Sequence, residues 1–293
     1  MSGATAALRP ADARPGRLAR ARGWRRRYGM PTLGGLIVLA WLAVALAAPL
    51  VAPYAPDAVD VSVRLQPPDA AHWLGTDELG RDVLSRLMYG ARISMLTGIV
   101  VVAVGGLVGI LVGGVAAYAG GWAESVLMRF TDLVLCFPPI ILALAIAAAL
   151  GIGTTNTIIA MLVVWWPKFA RLARSLVLQQ RAREYVEAAL VAGYGPVRIL
   201  GRHIIPNAVG PLVVLLTLDV GNAIITFAGL SFLGLGVVPP TAEWGAMVAE
   251  GRQLVQQWWV AAFPGFAILS IVLGFNFLGD GVRDWLDPKA GTR

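Results

Sequence analysis

Charged side chains are scarce in this sequence of 293 residues, because Asp, Glu, Lys and Arg together make up only 14% of it. Soluble domains usually contain about a quarter charged residues. The charges are clustered, and the five neutral stretches between them can each hold the roughly 20 apolar residues that cross a bilayer. These stretches are residues 28–56, 93–123, 133–167, 220–242 and 253–279. The shortage of charge excludes an ordinary soluble protein and predicts a chain that crosses a membrane several times.

Cysteine and histidine are also nearly absent, with one of the former and two of the latter. The lone cysteine, Cys136, excludes a disulfide framework and a cysteine metal cluster. His72 and His203 lie outside the apolar stretches, and neither GxSxG nor HExxH occurs, which argues against an intramembrane hydrolase. The phosphate loop GxxxxGK[ST] is absent too, because Lys168 precedes a phenylalanine and Lys289 an alanine. We therefore expect that this chain itself binds no nucleotide, metal or other cofactor.

The apolar stretches predict an all-α fold with about six transmembrane helices. The predicted spans are Leu33–Ala52, Met95–Tyr118, Leu133–Leu150, Thr155–Ala173, Val209–Leu233 and Trp258–Leu278. The fourth is the weakest, since Pro167 and Lys168 closely follow its apolar core. We retain it because Lys168 and Arg171 can reach the lipid headgroups by snorkelling.

Basic residues give the orientation of these spans. With the N-terminus inside, 19 of the 24 Lys and Arg side chains lie in segments that face the cytoplasm, and 5 lie in segments that face outward. This bias predicts cytoplasmic N- and C-termini, with residues 1–30 as a basic cytoplasmic tail. The apolar run Leu33–Ala52 is too long for a cleaved signal peptide. The net charge of +7 therefore reflects membrane orientation and not nucleic-acid binding.

Three glycines, Gly105, Gly109 and Gly113, recur every four residues in the second span. On a helix they form a smooth stripe that another helix can approach closely. The stripe predicts a compact bundle and is neutral about the substrate.

The outward-facing stretch 53–94 begins with several prolines and continues with a helical pattern. Thr76 or Asp77 can cap this helix, and the apolar residues after them recur on one face. Two interpretations stay open: an interfacial helix that lies on the outer membrane surface, or a docking surface for an external partner.

Asp219 lies inside the fifth span, where an acid costs about 2.5–3.5 kcal/mol on insertion scales. Such a residue usually faces a cavity or a partner. Either Asp219 and Asn222 line the translocation path, or Asp219 is a packing acid at the interface with a second subunit, hydrogen-bonded to Asn222 one turn on. Asp132 and Arg129 lie at a membrane boundary, where a structural ion pair is the expected role.

The loop between the fourth and fifth spans predicts a short helix, a sharp turn and a second helix. Glu184 and Glu187 suit the positive end of a helix dipole, and Gly193 supplies a left-handed stop. Pro196 suits the first turn of a second helix, which we expect to run to about Arg202. The first helix either packs under its own bundle or fits a groove on another protein.

This loop resembles the EAA loop of ABC importer permeases. The resemblance rests on Glu187-Ala188-Ala189, on Gly193 six residues after the glutamate, and on Ile204-Ile205-Pro206. It implies that the loop is the coupling helix that docks on a partner ATPase. The implied coupling residues are Glu184, Tyr185, Glu187, Ala188, Ala189, Gly193 and Pro206.

Further motifs make the chain similar to the dipeptide/oligopeptide permease family, and to its C-type subunit in particular. They are His72-Trp73-Leu74-Gly75-Thr76-Asp77, Gly80-Arg81-Asp82, Leu230-Ser231-Phe232-Leu233-Gly234-Leu235-Gly236, Trp244-Gly245, Asn276-Phe277-Leu278-Gly279-Asp280 and Leu286-Asp287-Pro288. The resemblance implies a type I ABC importer permease fold in a bacterial inner membrane. Residues 31–94 would hold the first span, the outer loop and the interfacial helix, and 95–293 the core permease with its coupling loop at about 174–207.

The implied partners are a sister permease, two ATPase subunits that carry ATP and Mg²⁺, and an extracytoplasmic binding protein. Asp77, Arg81, Asp82 and Trp244 are the implied docking residues for that binding protein. Peptides are the expected cargo, while relatives also import nickel chelates, glutathione or other small solutes. If Asp219 lines the translocation path, it could contact the amino terminus of such a peptide. An ion-coupled secondary transporter is the alternative from another class, and it predicts more intramembrane acids than Asp219.

Overall fold

Residues 17–286 are described here from a computed structural model, apart from the side chains of residues 17–28, 196 and 197. Most of the basic tail and the end of the Leu286-Asp287-Pro288 motif lie outside these residues. The described part is helical, with no strand. Its helices are α1 Arg17–Val51, α2 Val83–Ala119, α3 Gly121–Leu135, α4 Pro139–Leu150, α5 Thr154–Arg181, α6 Glu184–Val191, α7 Pro196–Ile199, α8 Ile205–Phe232, α9 Trp244–Gly251 and α10 Trp259–Leu286.

Four segments of the described chain are long and apolar enough to cross a membrane, and a bent pair makes a fifth. The four are Gly29–Val51, Val83–Ala119, Leu200–Phe232 and Trp259–Leu286. Helix α5 has the length of a span, at 28 residues, but it is less apolar. Its central lysine has an internal partner in the bundle, described below, so charge within α5 does not require exposure to lipid.

The third predicted span, Leu133–Leu150, is wrong as a single straight helix. Helices α3 and α4 meet at 88°, and residues 136–138 separate them. Pro138 and Pro139 explain the break, because proline lacks the N–H that a continuing helix needs and disfavours helical geometry in the residue before it. The apolar composition of this stretch is evident in the sequence, but its bend depends on these two prolines.

Helix α2 is longer than predicted and leaves no separate interfacial helix. It begins at Val83, is capped by the Asp82 carboxylate, which accepts from the Ser85 N–H at 2.8 Å, and runs unbroken to Ala119. The predicted caps, Thr76 and Asp77, lie in the preceding loop instead. The apolar face of residues 83–87 thus belongs to the first turns of the second span and not to a separate helix.

The glycine stripe of α2 is where α5 packs. A Cβ on Gly109 would lie 2.3 Å from the Trp166 carbonyl oxygen, and one on Gly113 would lie 2.0 Å from the Ala170 carbonyl oxygen. Both distances are far inside van der Waals contact and involve backbone, which cannot move aside cheaply. The prediction of close packing along this stripe is confirmed.

Gly113→Val is therefore expected to lower the stability of the bundle by about 1–3 kcal/mol, the usual cost of overpacking. Gly114→Val is the matched control, because a Cβ at Gly114 meets nothing within 4 Å. Thermal unfolding of the detergent-solubilised protein measures the difference. Equal unfolding temperatures for the two variants would contradict the packing described here.

Candidate functional site

Three groups of residues have charged side chains in buried positions or apolar side chains in exposed ones, which packing of the bundle does not require. We name them the α6 loop (residues 182–204), the Asp77 network (Asp77, Arg81, Arg86 and Glu250) and the Asp219 pair (Asp219 and Lys168). The α6 loop lies at one end of the bundle, and the Asp77 network joins α2 to α9 at the other. The Asp219 pair lies between them, midway along α5 and α8.

The α6 loop contains the predicted helix and the predicted stop. Glu184 and Glu187 lie in the first turn of α6, where the helix dipole favours negative charge. Gly193 has φ of +76° and donates its N–H to the Leu190 carbonyl at 3.0 Å, while the Tyr194 N–H reaches the Ala189 carbonyl at 3.1 Å. These two bonds close a Schellman motif, which needs a left-handed residue at Gly193.

The second helix of the loop does not end near Arg202 as predicted. Helix α7 passes into a π-helical turn, Leu200–Ile204, and then directly into α8. The α6 loop is therefore continuous with the helix of the fifth predicted span. A displacement of α6 can reach the membrane through this continuous helix.

One face of α6 packs on its own chain. Val186 and Ala189 are buried in a small cluster with Ala117, Val177, Ile199 and Ile204. The Tyr185 hydroxyl donates to Gln180 Oε1 at 2.7 Å. These contacts fix the position of α6 against α5 and the start of α8, so Ala189 cannot be a residue that a partner touches.

The opposite face of α6 is exposed in the described chain. Leu190 is 56% exposed and Val191 is 91% exposed, and Glu187 and Ala188 are exposed beside them. Exposed apolar residues rimmed by charge mark a surface for another protein. Of the implied coupling residues, Glu184, Tyr185, Gly193 and Pro206 are also exposed, with Pro206 at the start of α8.

The Asp77 network consists of two acids and two arginines, of which Asp77, Arg81 and Arg86 are buried and the Glu250 side chain is 30% exposed. Asp77 Oδ2 accepts from Arg81 Nε at 2.7 Å and from Arg86 Nη1 at 2.6 Å. The same two guanidinium groups reach the Glu250 carboxylate, each at 3.0 Å. Burial raises the pKa of Glu250 to about 7, against the lowering effect of Arg81. The network clamps the outer loop and α2 to α9.

A second buried contact fixes the same end of the bundle. Trp244 is fully buried and donates its indole N–H to the Leu87 carbonyl at 3.0 Å, and its ring lies edge-on to Trp41 at 4.9 Å. Glu243 caps α9 and accepts from Ser94 at 2.9 Å, and burial raises the pKa of this carboxyl.

The predicted docking residues are therefore not a contact surface. Asp77, Arg81, Asp82 and Trp244 are all nearly or fully inaccessible, at 2%, 4%, 3% and 0% exposure. The sequence pattern pointed to residues that matter at this end of the bundle, but they shape the outer loop from within. Arg86 and Glu250 were not predicted as partners of Asp77 and Arg81. Glu250 lies 169 residues from Arg81 in the chain, and a partner so distant leaves no local signal.

The Asp219 pair joins α5 and α8 inside the bundle. Asp219 is 3% exposed, and its Oδ2 lies 2.6 Å from Lys168 Nζ and accepts from the Trp165 indole N–H at 2.7 Å. Asn222 donates to Oδ1 at 3.4 Å, as the packing interpretation expects. Lys168 thus does not snorkel to the headgroups, and Asp219 itself is not open to a pore.

The boundary ion pair also differs from expectation. Asp132 pairs with Arg171 of α5 and not with Arg129 of its own helix. Arg174 pairs with Glu124 at 2.6 Å in the same way, so two contacts tie α3 to α5. Arg171 thus has an ion-pair partner within the chain, although both side chains of this pair are more than half exposed.

Comparison with known proteins places these features in one family. Residues 105–292 match the family model described as "Binding-protein-dependent transport system inner membrane component". The chain is 46% identical to the probable D,D-dipeptide transport system permease protein DdpC of Escherichia coli K12, over 88% of this chain and 87% of that protein. It is 44% identical to the glutathione transport system permease protein GsiD of Pectobacterium atrosepticum, over 91% and 90%.

Two further similarities bear on cargo and on fold. The nickel transport system permease protein NikC of Escherichia coli K12 is 43% identical, over 88% of this chain and 94% of that protein. Among solved structures, an inward-facing conformation of the MetNI methionine ABC transporter aligns with a TM-score of 0.58. That alignment covers 70% of this chain and 97% of the other at 18% identity, so it bears on the fold alone.

Proposed function

Because the chain belongs to the family of binding-protein-dependent transport system inner membrane components, we propose that it is the C-type permease subunit of an ATP-driven peptide importer. It pairs with a sister permease, receives di- or oligopeptides from an extracytoplasmic binding protein, and takes energy from two ATPase subunits. The chain itself hydrolyses nothing and binds no cofactor, while ATP and Mg²⁺ are held by the ATPases. Both of its termini and the α6 loop face the cytoplasm.

The observation that carries this proposal is the two-sided geometry of α6. Its buried face is fixed to the bundle through Val186 and Ala189, and its free face presents Leu190 and Val191. A coupling element must have one face fixed to its own bundle and one exposed face, because it has to bind a partner and transmit the partner's movement. In the proposed mechanism, closure of the ATPases pushes α6, and the continuous α7–α8 segment carries this push into the membrane.

The substrate class is supported by the relatives. DdpC, which is named for D,D-dipeptides, has the highest of the identities quoted above, at 46%. Glutathione, the cargo named for GsiD, is itself a small peptide derivative, whereas NikC is named for nickel. Nickel chelates, glutathione and other small solutes remain the alternative cargo for the same mechanism.

Uptake by the complex reconstituted in liposomes tests the function directly. Labelled dipeptide should accumulate only when the binding protein is present outside and the ATPases and ATP are present inside. Accumulation without the ATPase subunits, driven by a proton or sodium gradient, would instead indicate a secondary transporter.

Val191→Glu is expected to weaken ATPase binding about tenfold or more, because it places a charge in the apolar centre of the proposed contact. Val255→Glu is the matched control, since Val255 is 86% exposed at the opposite end of the bundle. Co-purification of the ATPases with each variant measures the effect. Both variants should unfold at the wild-type temperature, as surface changes usually do. Full ATPase retention by Val191→Glu would exclude this face of α6 as the docking site.

A further inference from the structure

The exposed side of the Asp219 pair is unusual for the middle of a membrane helix. Lys168 lies about 20 Å from either end of α5, at a rise of about 1.5 Å per residue. One third of its side chain is exposed, at 33%, while the Asp219 side chain is 5% exposed. Asn222, one turn along α8, is exposed beside it. Three polar groups thus meet at one mid-span surface of the described chain.

Lipid is an unsuitable neighbour for this surface, because charged and amide groups in the bilayer centre face a bundle interior, a partner or a water-filled cavity. The interior is excluded for the exposed part of Lys168. A cavity of about 330 Å³ opens between α5, α8 and α10, lined by Leu172 and Val214 among others. Leu172 follows Lys168 by one turn of α5, but Lys168 itself does not line this cavity. The exposed part of the ammonium group therefore faces outward from the described chain, where a partner or a water-filled path would lie.

Two candidates remain for the neighbour of the exposed ammonium group: a sister subunit and a ligand in a water-filled path. Charge balance distinguishes them. Lys168 and Asp219 already neutralise each other, so an acid from a sister subunit would leave an unbalanced negative charge inside the membrane. A ligand without net charge leaves the balance intact. The ammonium group has three N–H donors, of which Asp219 occupies one. Among the described residues, no second acceptor contacts Nζ, and the Trp165 ring supports it at 4.0 Å from its centroid.

We infer that Lys168 is a substrate-binding residue of the translocation path, which donates to a carboxylate or carbonyl oxygen of a zwitterionic peptide in transit. Asp219 and Trp165 are positioning residues that hold the ammonium group at this point of α5. The inference rests on the proposed function, because it needs a peptide to pass this surface.

The decisive experiment separates substrate binding from simple charge balance. The full complex is reconstituted in liposomes, and ATP-driven uptake of dialanine is compared for wild type, K168R, the neutral pair K168Q/D219N and the swapped pair K168D/D219K. All three variants avoid an unpaired buried charge. Assembly with the partner subunits and thermal unfolding serve as structural readouts.

Uptake by both double variants should fall about tenfold or more, the effect of losing one charge-assisted hydrogen bond. Their assembly and unfolding temperature should stay close to wild type, and K168R should retain most uptake. Wild-type uptake by K168Q/D219N would reduce Lys168 to a counter-ion and overturn the inference alone. Absence of dialanine uptake by the wild-type complex would overturn the peptide assignment, and this inference with it.

Cysteine labelling tests the location independently. In a Cys136→Ala/Asp219→Asn background, which removes the single native thiol and leaves no unpaired buried carboxylate, Lys168→Cys should react with the anionic reagent sulfonatoethyl methanethiosulfonate. Phe169→Cys is the matched control and should stay unreactive, because Phe169 is 0% exposed. Lack of reaction at position 168 in the assembled complex would place this surface under a sister subunit and overturn the inference.

Discussion

Gly193→Val in this chain is expected to reduce ATP-driven uptake by the assembled importer about tenfold or more. Gly193 adopts φ of +76°, a region where a β-branched residue costs about 1–3 kcal/mol. The space around Gly193 is open, because a Cβ added there would meet nothing within 4 Å, so the cost is one of backbone conformation and not of a clash. To relieve it, the Schellman turn must open, and Leu190 and Val191 then move away from the partner.

Gly195→Val provides the matched control for this variant. Gly195 also has nothing within 4 Å of an added Cβ, and its φ is not positive. Gly193→Asn should give an intermediate result, because asparagine tolerates the left-handed region better than valine does. Uptake is measured in liposomes, with ATP hydrolysis followed in the same samples. Wild-type uptake by Gly193→Val would show that the turn has no part in coupling.

The sequence is informative wherever a feature depends on neighbouring residues. The α6 stop at Gly193 and the close packing at Gly109 and Gly113 were predictable, since each follows from spacing along one helix. The residues that contact these glycines were not predictable in the same way. Which carbonyl faces Gly113 depends on how α5 lies against α2, and that is a property of the whole bundle.

The buried ion pairs show the same limit more clearly. Lys168 was expected to reach the headgroups, because a lysine near the end of an apolar run usually does so. The structure instead pairs it with Asp219, which lies 51 positions later in the chain. Two isolated intramembrane charges of opposite sign were the available signal, and they favour mutual pairing over two separate costs of insertion.

The motif residues of the outer loop and α9 were noticed in the sequence, but their role was predicted wrongly. Asp77, Arg81 and Trp244 stand out in the sequence, and docking was a reasonable role for polar residues on an outward-facing loop. Their burial instead places Asp77 and Arg81 inside the loop before α2, and Trp244 at the start of α9 against α2. A binding protein would meet the exposed residues that these contacts hold in place, so the effect of the buried residues on docking is indirect.

Asp77→Asn is expected to lower the stability of the protein by about 3–5 kcal/mol, because it leaves buried arginines without their main counter-ion. The amide keeps an oxygen for the Leu79 and Arg81 backbone N–H groups, which Oδ1 accepts at 2.9 and 3.0 Å. It removes the charge that faces Arg86, whose side chain is 1% exposed. Glu250 cannot replace it fully, since burial raises its pKa to about 7 and it is only partly ionised at neutral pH.

Thermal unfolding in detergent measures this loss, with an expected fall of about 10 °C for a chain of this size. Glu78→Gln is the matched control, because Glu78 adjoins Asp77, carries the same charge and is exposed. Arg86→Met should be less harmful than Asp77→Asn, since it removes one buried cation and leaves Asp77 paired with Arg81 at 2.7 Å. If Asp77→Asn and Glu78→Gln unfolded at the same temperature, the arginines would be compensated by solvent, and the loop would have to be held to the bundle by Trp259 of α10, which donates to the Thr76 carbonyl at 3.1 Å.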